Sequence, residues 1–325
     1  MATVITNLLS AIPYFGQDIV ELKNLTEIIT IHTNLNLNYL SPIVPFLPTV
    51  GTVNQHALKK GKALRLDKKE FLSIPHQFIS FLVGLIDGDG YIQITKTTKG
   101  FITIKLVICL HLEDLATLEY INSVLKIGKI TIYRDHRSPI CKLIINRTDL
   151  QEILFPLLLH HNIFFLTETR RAQFDLSMFI FKNEIKLFDL IPNIKNVDTN
   201  FNLPTKSEDY LKLAFFNNWF VGFTNAEGSF LVKSNNDACF QVKQRIHVEL
   251  FEAFKLLFNT SRKISIEQEK FSHFSVSSKN EIQKVIQFFS FSGYHSLIGL
   301  KCIQYFKWLN TLQKSSRYCN LNFPK

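Results

Sequence analysis

The sequence predicts an α+β fold built from two similar halves, each combining helices with antiparallel hairpins. Two observations predict it. The apolar stretch Leu82–Gly90, LVGLIDGDG, has a near-copy at Phe220–Gly228, FVGFTNAEG, and each copy ends in a carboxylate followed by glycine. After the first copy the apolar period changes from helical spacing to the alternation of a strand, and the second half repeats the order of elements. Both halves read as helix–hairpin–helix–hairpin–helices, which indicates an internal duplication.

Composition restricts the partners of the chain. Its 325 residues suffice for two domains of ordinary size or one large one, and 46% hydrophobic residues provide for real cores. Lys and Arg total 37 against 27 Asp and Glu, a net charge of +10. This excess favours nucleic acid or an acidic membrane surface, although charge that serves only solubility gives the same count. The five cysteines lack CxxC spacing, which argues against a disulfide framework or a structural zinc site.

Residues 1–72 have no counterpart in the duplication, and we interpret them as an N-terminal extension and tether. The segment from residue 23 to 72 is polar, contains three prolines and carries a basic run at residues 59–62, so we expect it to be irregular. The chain has no secretory signal pattern and no apolar run of membrane-spanning length, so we predict no stable membrane insertion. The abundance of Ile, Asn, Lys and Phe points to an A/T-rich genome, such as an organellar one.

The first half is assigned to residues 73–182. A helix is expected at His76–Gly88, because apolar residues recur there at helical spacing. Alternation then predicts a hairpin with its turn at residues 98–100. The predicted elements after the first helix are the strands Tyr91–Lys96 and Phe101–Ile108, a helix at His111–Leu125, the strands Lys129–Tyr133 and Lys142–Asn146, and helices around Asp149–His161 and Thr167–Phe181.

The second half is assigned to residues 210–325, after a polar linker at residues 183–209 that contains two prolines. Its elements follow the order of the first half. The correspondence pairs Gly84 with Gly222, His111–Glu113 with His247–Glu249, Lys129 with Lys263, and Arg170 with Lys301.

The two copies predict how the halves meet. Gly84 and Gly88 lie four residues apart on one helix, and Gly222 and Ala226 do the same on the other. Small residues at this spacing let two helix backbones approach closely. Packing of these faces would bring together the two terminal acids of the copies, Asp89 and Glu227.

A carboxylate is disfavoured at the C-terminal end of a helix, and two together also repel each other. A shared divalent cation would remove both penalties, and oxygen ligands without His or Cys favour Mg²⁺ over zinc. Such a site suits phosphodiester hydrolysis. The alternative, two polar residues before a turn glycine, would be preferred for one copy alone; duplication on a basic chain favours metal chemistry.

These motifs resemble those of the LAGLIDADG homing endonucleases in their two-repeat, single-chain form. The resemblance extends from about Pro75 to the C-terminus. It implies that Asp89 and Glu227 are the catalytic acids and metal ligands. Gly88 and Ala226, the residues directly before them, are also assigned to the metal site. The earlier acid of the motif departs from the pattern, since Asp87 is matched by Asn225; the resemblance makes this position structural.

The same resemblance implies further catalytic residues. The family pattern basic–x–x–Gln–aromatic is met by Arg170–Phe174 and Lys301–Tyr305, where Arg170 and Lys301 would offset charge on the phosphate. A basic residue at a helix start is the competing interpretation for each alone. Gln244 matches a glutamine that holds active-site water, and its counterpart in the first half is assigned as Ile108, so its role would be asymmetric.

The resemblance also implies two antiparallel sheets that form a saddle over the major groove of double-stranded DNA. Outward residues of the hairpins would contact bases or phosphates, although a polar solvent-exposed face is as good an interpretation of any single residue. The predicted DNA-binding residues are Tyr91, Gln93, Thr95, Lys105, Gln241, Lys243 and Arg245.

Residues 1–22 resemble a stretch of mitochondrial cytochrome b, notably Ala2–Pro13 and Gly16–Glu21. Together these resemblances imply a monomeric, Mg²⁺-dependent, site-specific double-strand DNA endonuclease of the mitochondrial matrix, which mediates intron homing in a cytochrome b gene. The alternative is an RNA maturase that assists splicing of its own group I intron, with or without cleavage. Fusion to an exon-like segment keeps this alternative open.

Overall fold

A computed structural model describes residues 68–134, 137–192, 201 and 203–324, all of which fall in one unit that spans residues 55–325. Most of the predicted extension therefore lies outside the described residues. Its last five residues form a short helix, α1 (Lys68–Leu72), and are not the irregular tether that was predicted. Phe71 is the reason, because it is buried against the core of the first half.

The first half follows the predicted order. Two predicted helices differ from the structure in detail. The helix predicted from His111 begins one residue later, with a turn of 3₁₀-helix at Leu112–Asp114 that leads into the α-helix at Leu115, because the preceding strand continues to His111, which pairs with Ile140. Its elements are α2 (His76–Asp89), β1 (Gly90–Lys96), β2 (Ile102–His111), α3 (Leu115–Leu125), β3 (Lys129–Tyr133), β4 (Ile140–Asn146), α4 (Arg147–Asp149), α5 (Phe155–His160) and α6 (Glu168–Lys182).

The helix expected around Asp149–His161 is present, but it is not regular. A turn of π-helix at Leu150–Leu154 separates α4 from α5. Pro156 lies in the first turn of α5 and has no N–H to donate to the preceding turn, so the regular ladder of hydrogen bonds is interrupted here.

The second half repeats this order with one long helix, Lys279–Phe291, in place of the short helices α4 and α5. The predicted linker contains a 3₁₀ turn at Phe188–Leu190, and its last three residues, 207–209, already belong to a helix; residues 193–200 and 202 of it lie outside the described ranges. The elements are α7 (Ser207–Leu211), α8 (Phe216–Glu227), β5 (Gly228–Val232), β6 (Ala238–Arg245), α9 (Val248–Leu257), β7 (Ser265–Glu267), β8 (Phe271–Val276), α10 (Lys279–Phe291) and α11 (Gly299–Lys314).

Each half contains one four-stranded antiparallel sheet. The strand orders are β1–β2–β4–β3 and β5–β6–β8–β7, so the two sheets share one topology. The predicted α+β fold with two related antiparallel sheets is confirmed.

Helices α2 and α8 pack against each other through their glycines. A Cβ added to Gly84 would overlap the carbonyl oxygen of Trp219, and a Cβ added to Gly222 would overlap the carbonyl oxygen of Phe81. Backbone contacts this close require a residue without a side chain at both positions. The predicted interface between the two small-residue faces is therefore present.

The core continues across this interface. Trp219 is fully buried and donates a hydrogen bond of 2.7 Å from Nε1 to Asp87 in the other half. The second half fills its own core mainly with phenylalanine: Phe220 and Phe240, both fully buried, each contact several other rings. In the described part of the chain, no helix has the length and apolar character to cross a membrane.

Candidate active site

Helices α2 and α8 end side by side, and each delivers its last acid to the same place. Asp89 is the last residue of α2 and Glu227 the last of α8, and each is followed directly by a strand. A Cβ built on Gly88 would lie 3.1 Å from Cγ of Glu227 and would overlap the side chain of Ala226. The close approach of the helices therefore places Glu227 against the backbone that carries Asp89.

The two carboxyl groups share an electrostatic environment that opposes their ionisation. Burial raises the pKa of Asp89 to about 6, despite the opposing charge of Lys301. Burial, followed by repulsion from Asp89, raises the pKa of Glu227 to about 7. A site that makes ionisation of both groups unfavourable gains stability when a cation joins them.

Two cations flank the acids. Arg170 donates from Nε to the carbonyl oxygen of Ile86 at 3.3 Å, and Lys301 donates from Nζ to the carbonyl oxygen of Gly228. Burial lowers the pKa of both cationic groups, while attraction to the acids opposes this shift. Arg170 lies in the first turn of α6 and Lys301 in the first turn of α11. Each side chain contacts the backbone near the end of the motif in its own half.

Gln244 joins this group from strand β6. Its Nε2 donates a hydrogen bond of 2.7 Å to Oε1 of Glu227. The predicted counterpart in the first half, Ile108, was wrong: Gly90 pairs with Ile108 and Gly228 with Val242, so the equivalent of Gln244 is Leu110. The hairpin of the second half is four positions shorter, since 108 − 90 = 18 positions separate the paired residues of the first half and 242 − 228 = 14 those of the second. The predicted match of His111 with His247 allowed for only two of these four. Leu110 is also apolar, and the predicted asymmetry stands.

The earlier acid position of each motif has a structural role. Asp87 accepts hydrogen bonds from Leu166 N at 2.8 Å and Thr167 N at 3.2 Å, just before α6 begins. Asn225 accepts one from Ile298 N at 2.9 Å, just before α11 begins. An acceptor suffices for this purpose, so the loss of charge at Asn225 leaves the contact intact.

The donor set fits a hard divalent cation. Asp89 and Glu227 offer carboxylate oxygens, and Gly88 and Ala226 belong to the final helical turns, whose carbonyls lack partners within the helix. Over the ranges that the structure describes, no cluster of three or more His, Cys, Asp or Glu side chains could hold a metal. Oxygen donors without nitrogen or sulfur suit Mg²⁺ or Ca²⁺ better than zinc.

The predicted DNA-binding residues of the first half share one face of their sheet. Gln93 pairs with Lys105, and Tyr91 and Thr95 flank Gln93 at the strand period. Between them, Ile92 is buried on the opposite face at 2% exposure. The faces were thus predicted correctly, and contact of these residues with DNA stays a prediction.

Strand pairing adds two lysines that sequence reasoning missed. Lys142 pairs with Cys109, and Lys129 pairs with Ile144, which in turn pairs with Val107. Both lysines therefore stand on the face that carries Lys105. Alternation within β3 and β4 gives two faces without saying which is which, so only the register between strands identifies them.

In the second half, Gln241, Lys243 and Arg245 share a face, as predicted. They alternate with the fully buried Phe240 and Val242. The five predicted catalytic residues thus lie together at the ends of the helices, and the predicted DNA-binding residues spread over the faces of the two sheets.

The chain was compared with known proteins. The family model described as LAGLIDADG endonuclease matches residues 82–179 and 220–312, one stretch in each half. A curated relative, "Probable intron-encoded endonuclease aI3" of Dictyostelium discoideum, is 22% identical over 237 residues, which cover 70% of this chain and 92% of the relative. The protein of the same name from Dictyostelium citrinum is 23% identical over 215 residues and covers 64% of this chain and 86% of its own length.

Solved structures show the same fold. The I-LtrWI homing endonuclease bound to target DNA has a TM-score of 0.57 and 19% identity, over 73% of this chain and 90% of its own. The meganuclease I-AabMI bound to uncleaved DNA has a TM-score of 0.53 and 22% identity, over 71% and 89%. I-SmaMI bound to an uncleaved DNA target with calcium ions has a TM-score of 0.54 and 19% identity, over 72% and 90%.

Proposed function

Because the chain belongs to the LAGLIDADG endonuclease family, we propose that it is a monomeric, site-specific, Mg²⁺-dependent endonuclease that cuts both strands of a DNA target. The observation that carries this proposal is the pair of partly buried acids, Asp89 and Glu227, at the ends of two helices in backbone contact. Basic faces on two related sheets supply the rest of the interface.

The residues of the chain have distinct roles in this proposal. When bound, Mg²⁺ supplies a more acidic water and neutralises charge on the leaving oxygen. Asp89 and Glu227 are the residues that would hold the cation. Arg170 and Lys301 offset the negative charge that grows on the phosphate during attack. Gln244 fixes the Glu227 carboxylate through the bond of 2.7 Å.

We further propose that the endonuclease acts in intron homing in a mitochondrial cytochrome b gene and works in the matrix. Support comes from the cytochrome b-like stretch at residues 1–22, which lies outside the described residues, and from the bias toward residues with A/T-rich codons. The two curated relatives are named as intron-encoded endonucleases.

The second candidate is an RNA maturase for the group I intron that encodes the protein. The exon-like N-terminal stretch is the observation that favours it. Both functions fit one chain, since the basic surface suits either nucleic acid.

Cleavage of an intronless cytochrome b gene tests the first proposal. Purified wild-type protein with Mg²⁺ should convert a plasmid that carries this gene to a linear product, while Asp89→Asn and Glu227→Gln should leave it uncut. Asp189→Asn is a matched control, because Asp189 is an exposed carboxylate that pairs with Lys96 on the surface.

The result that would contradict the proposal is an intact plasmid in the wild-type reaction while the same protein restores splicing of the intron RNA. This outcome would leave the maturase function alone. If both carboxylate variants then splice normally, the acids have no part in splicing.

A further inference from the structure

The outer face of the second sheet carries a connected set of side chains that the catalytic site does not use. Strand register puts Lys243 beside His273 and Ser265 beside His273, on the face that holds Gln241. Lys243 forms an ion pair with Glu267, and Glu267 Oε1 lies 3.1 Å from His273 Nδ1. We call Gln241, His273, Glu267 and Lys243 the second-sheet network.

The neighbours of His273 fix the proton on Nδ1. One neighbour is the Glu267 carboxylate, and the other is the Ser265 hydroxyl oxygen at 3.3 Å. That hydroxyl donates its own proton to the backbone oxygen of His273 at 3.4 Å, so its oxygen is free to accept. Both neighbours of Nδ1 are therefore acceptors, and Nδ1 is the N–H of the ring.

The opposite ring nitrogen then determines the orientation of Gln241. Burial lowers the pKa of His273, which leaves the ring neutral with a lone pair on Nε2. Nε2 lies 3.2 Å from the amide group of Gln241, with Oε1 placed nearest. A lone pair pairs with N–H and repels an amide oxygen, and amide oxygen and nitrogen are assigned from such partners. The NH₂ group of Gln241 therefore faces His273.

This orientation leaves the carbonyl oxygen and one N–H of Gln241 directed away from the ring. Adenine offers the matching pair in the major groove, an N6 donor and an N7 acceptor. Guanine offers two acceptors, O6 and N7, and its O6 would oppose the amide oxygen.

We propose that the second-sheet network holds the Gln241 amide in the orientation that selects adenine over guanine at one base pair of the DNA target. Gln241 reads the base, His273 and Glu267 are positioning residues, and Lys243 keeps Glu267 ionised. The inference rests on the proposed function, because it names the base chemistry that the same interface recognises.

The first sheet has no such unit among its described residues. Register makes Val107 the equivalent of Gln241, and the corresponding face carries the lysines Lys105, Lys129 and Lys142. Lysines favour phosphate and guanine contacts over adenine. Because Gln241 stands on the second sheet, the adenine that it contacts should lie in the half of the target that this sheet covers.

Cleavage profiles of single-base-pair variants test the proposal. The target is selected from a randomised duplex library by its cutting with Mg²⁺, and every base pair is then substituted in turn. Wild type should prefer adenine at one position on the order of tenfold to hundredfold over guanine. Gln241→Ala should abolish this preference, and His273→Phe should reduce it at that position only.

Gln313→Ala is the matched control, since Gln313 is an exposed glutamine of α11, outside both sheets. It should leave the adenine preference unchanged. Suppose that wild type cuts its target, but Gln241→Ala keeps every base preference or His273→Phe keeps full discrimination between adenine and guanine. The proposal for the second-sheet network is then wrong, while the proposed endonuclease function stands. If wild type cuts no member of the library, the proposed function fails with it.

Discussion

Asp87 and Asp89 lie two residues apart and are used in opposite ways. Asp87 is surrounded by donors: Leu166 N, the N–H and hydroxyl of Thr167, and Nε1 of Trp219. Asp89 has no hydrogen-bond donor to its carboxylate within the described ranges, and its neighbour Glu227 repels it. Asp87 therefore stabilises the fold, whereas the charge of Asp89 is unfavourable until a cation binds beside it.

This contrast predicts opposite effects on stability. In the absence of metal at pH 8, Asp89→Asn should raise the free energy of unfolding by about 1 kcal/mol or more, because it removes a buried charge. Asp87→Asn should lower it by about 1–3 kcal/mol, because an amide NH₂ would face N–H donors. Although burial raises the pKa of Asp87 to about 6, the donors left without an acceptor outweigh the charge that is removed. Urea unfolding of both variants measures the difference; equal shifts of the same sign would refute it.

Among the individual residues, the duplicated motif was enough to predict Asp89 and Glu227 as a pair. It was not enough to identify the counterpart of Gln244, because the β5–β6 hairpin is shorter than the β1–β2 hairpin by more than the predicted match of the two halves allowed. The second-sheet network also escaped prediction, since Glu267 and His273 belong to strands whose pairing the sequence does not specify.

Helices α2 and α8 show how an element places an active site. Their glycines remove the side chains that would hold the backbones apart, so the helix ends converge. The contact is not the same along its length. Gly84 faces backbone atoms of Trp219, whereas Gly88 faces the side chain of Ala226.

Two substitutions separate these contacts. Gly84→Ala should destabilise the protein by about 3 kcal/mol or more, since the helix backbone cannot yield without separating the halves. Gly88→Ala should also destabilise the protein, because the new methyl group would overlap that of Ala226. Adding Ala226→Gly to the same chain removes the methyl group of Ala226 and should restore much of the lost stability.

Thermal unfolding of the single and double variants measures this coupling. Ala226→Gly added to Gly84→Ala is the control and should restore nothing, because the clash there is with Trp219. Full tolerance of Gly84→Ala would show that the helices are not in backbone contact.

Most elements could be predicted because their apolar periods are distinct. The exceptions have local causes. Pro156 turned one predicted helix into two short pieces around a π turn, and the pairing of His111 with Ile140 extended a strand into residues expected to be helical. The spacing of apolar residues shows neither effect. The first depends on the N–H that Pro156 lacks, and the second depends on a strand about 30 residues further along the chain.

For the whole molecule, the two partly buried acids Asp89 and Glu227 link stability to pH and metal. The folded pKa values of about 6 for Asp89 and about 7 for Glu227 lie above their ordinary values of 3.8 and 4.5. The folded state therefore binds more protons than the unfolded state between about pH 4 and pH 7. These two groups make the metal-free protein lose stability as the pH rises through that window.

Urea unfolding at pH 5 and pH 8, with and without Mg²⁺, tests this linkage. Mg²⁺ should stabilise the protein at pH 8 and have a smaller effect at pH 5, where protons already occupy the site. The double variant Asp89→Asn/Glu227→Gln should lose the dependence on Mg²⁺ and the part of the pH dependence that these acids cause. An equal Mg²⁺ effect in wild type and double variant would show that the cation binds elsewhere.

The halves also differ in charge across the molecule. The first sheet carries Lys105, Lys129 and Lys142 on its outer face, while in the second sheet Glu267 neutralises Lys243. The overall excess of positive charge was evident in the composition, but its uneven division between the sheets follows only from strand register.

In the proposed function, Asp89 and Glu227 hold one divalent cation between them at the DNA, and cleavage depends on this cation. Anomalous diffraction from crystals of the protein bound to its target with Mn²⁺ tests this arrangement directly. We predict a manganese peak at roughly 2–2.5 Å from a carboxylate oxygen of both residues. A peak bound by neither acid, or by residues away from the ends of α2 and α8, would contradict it.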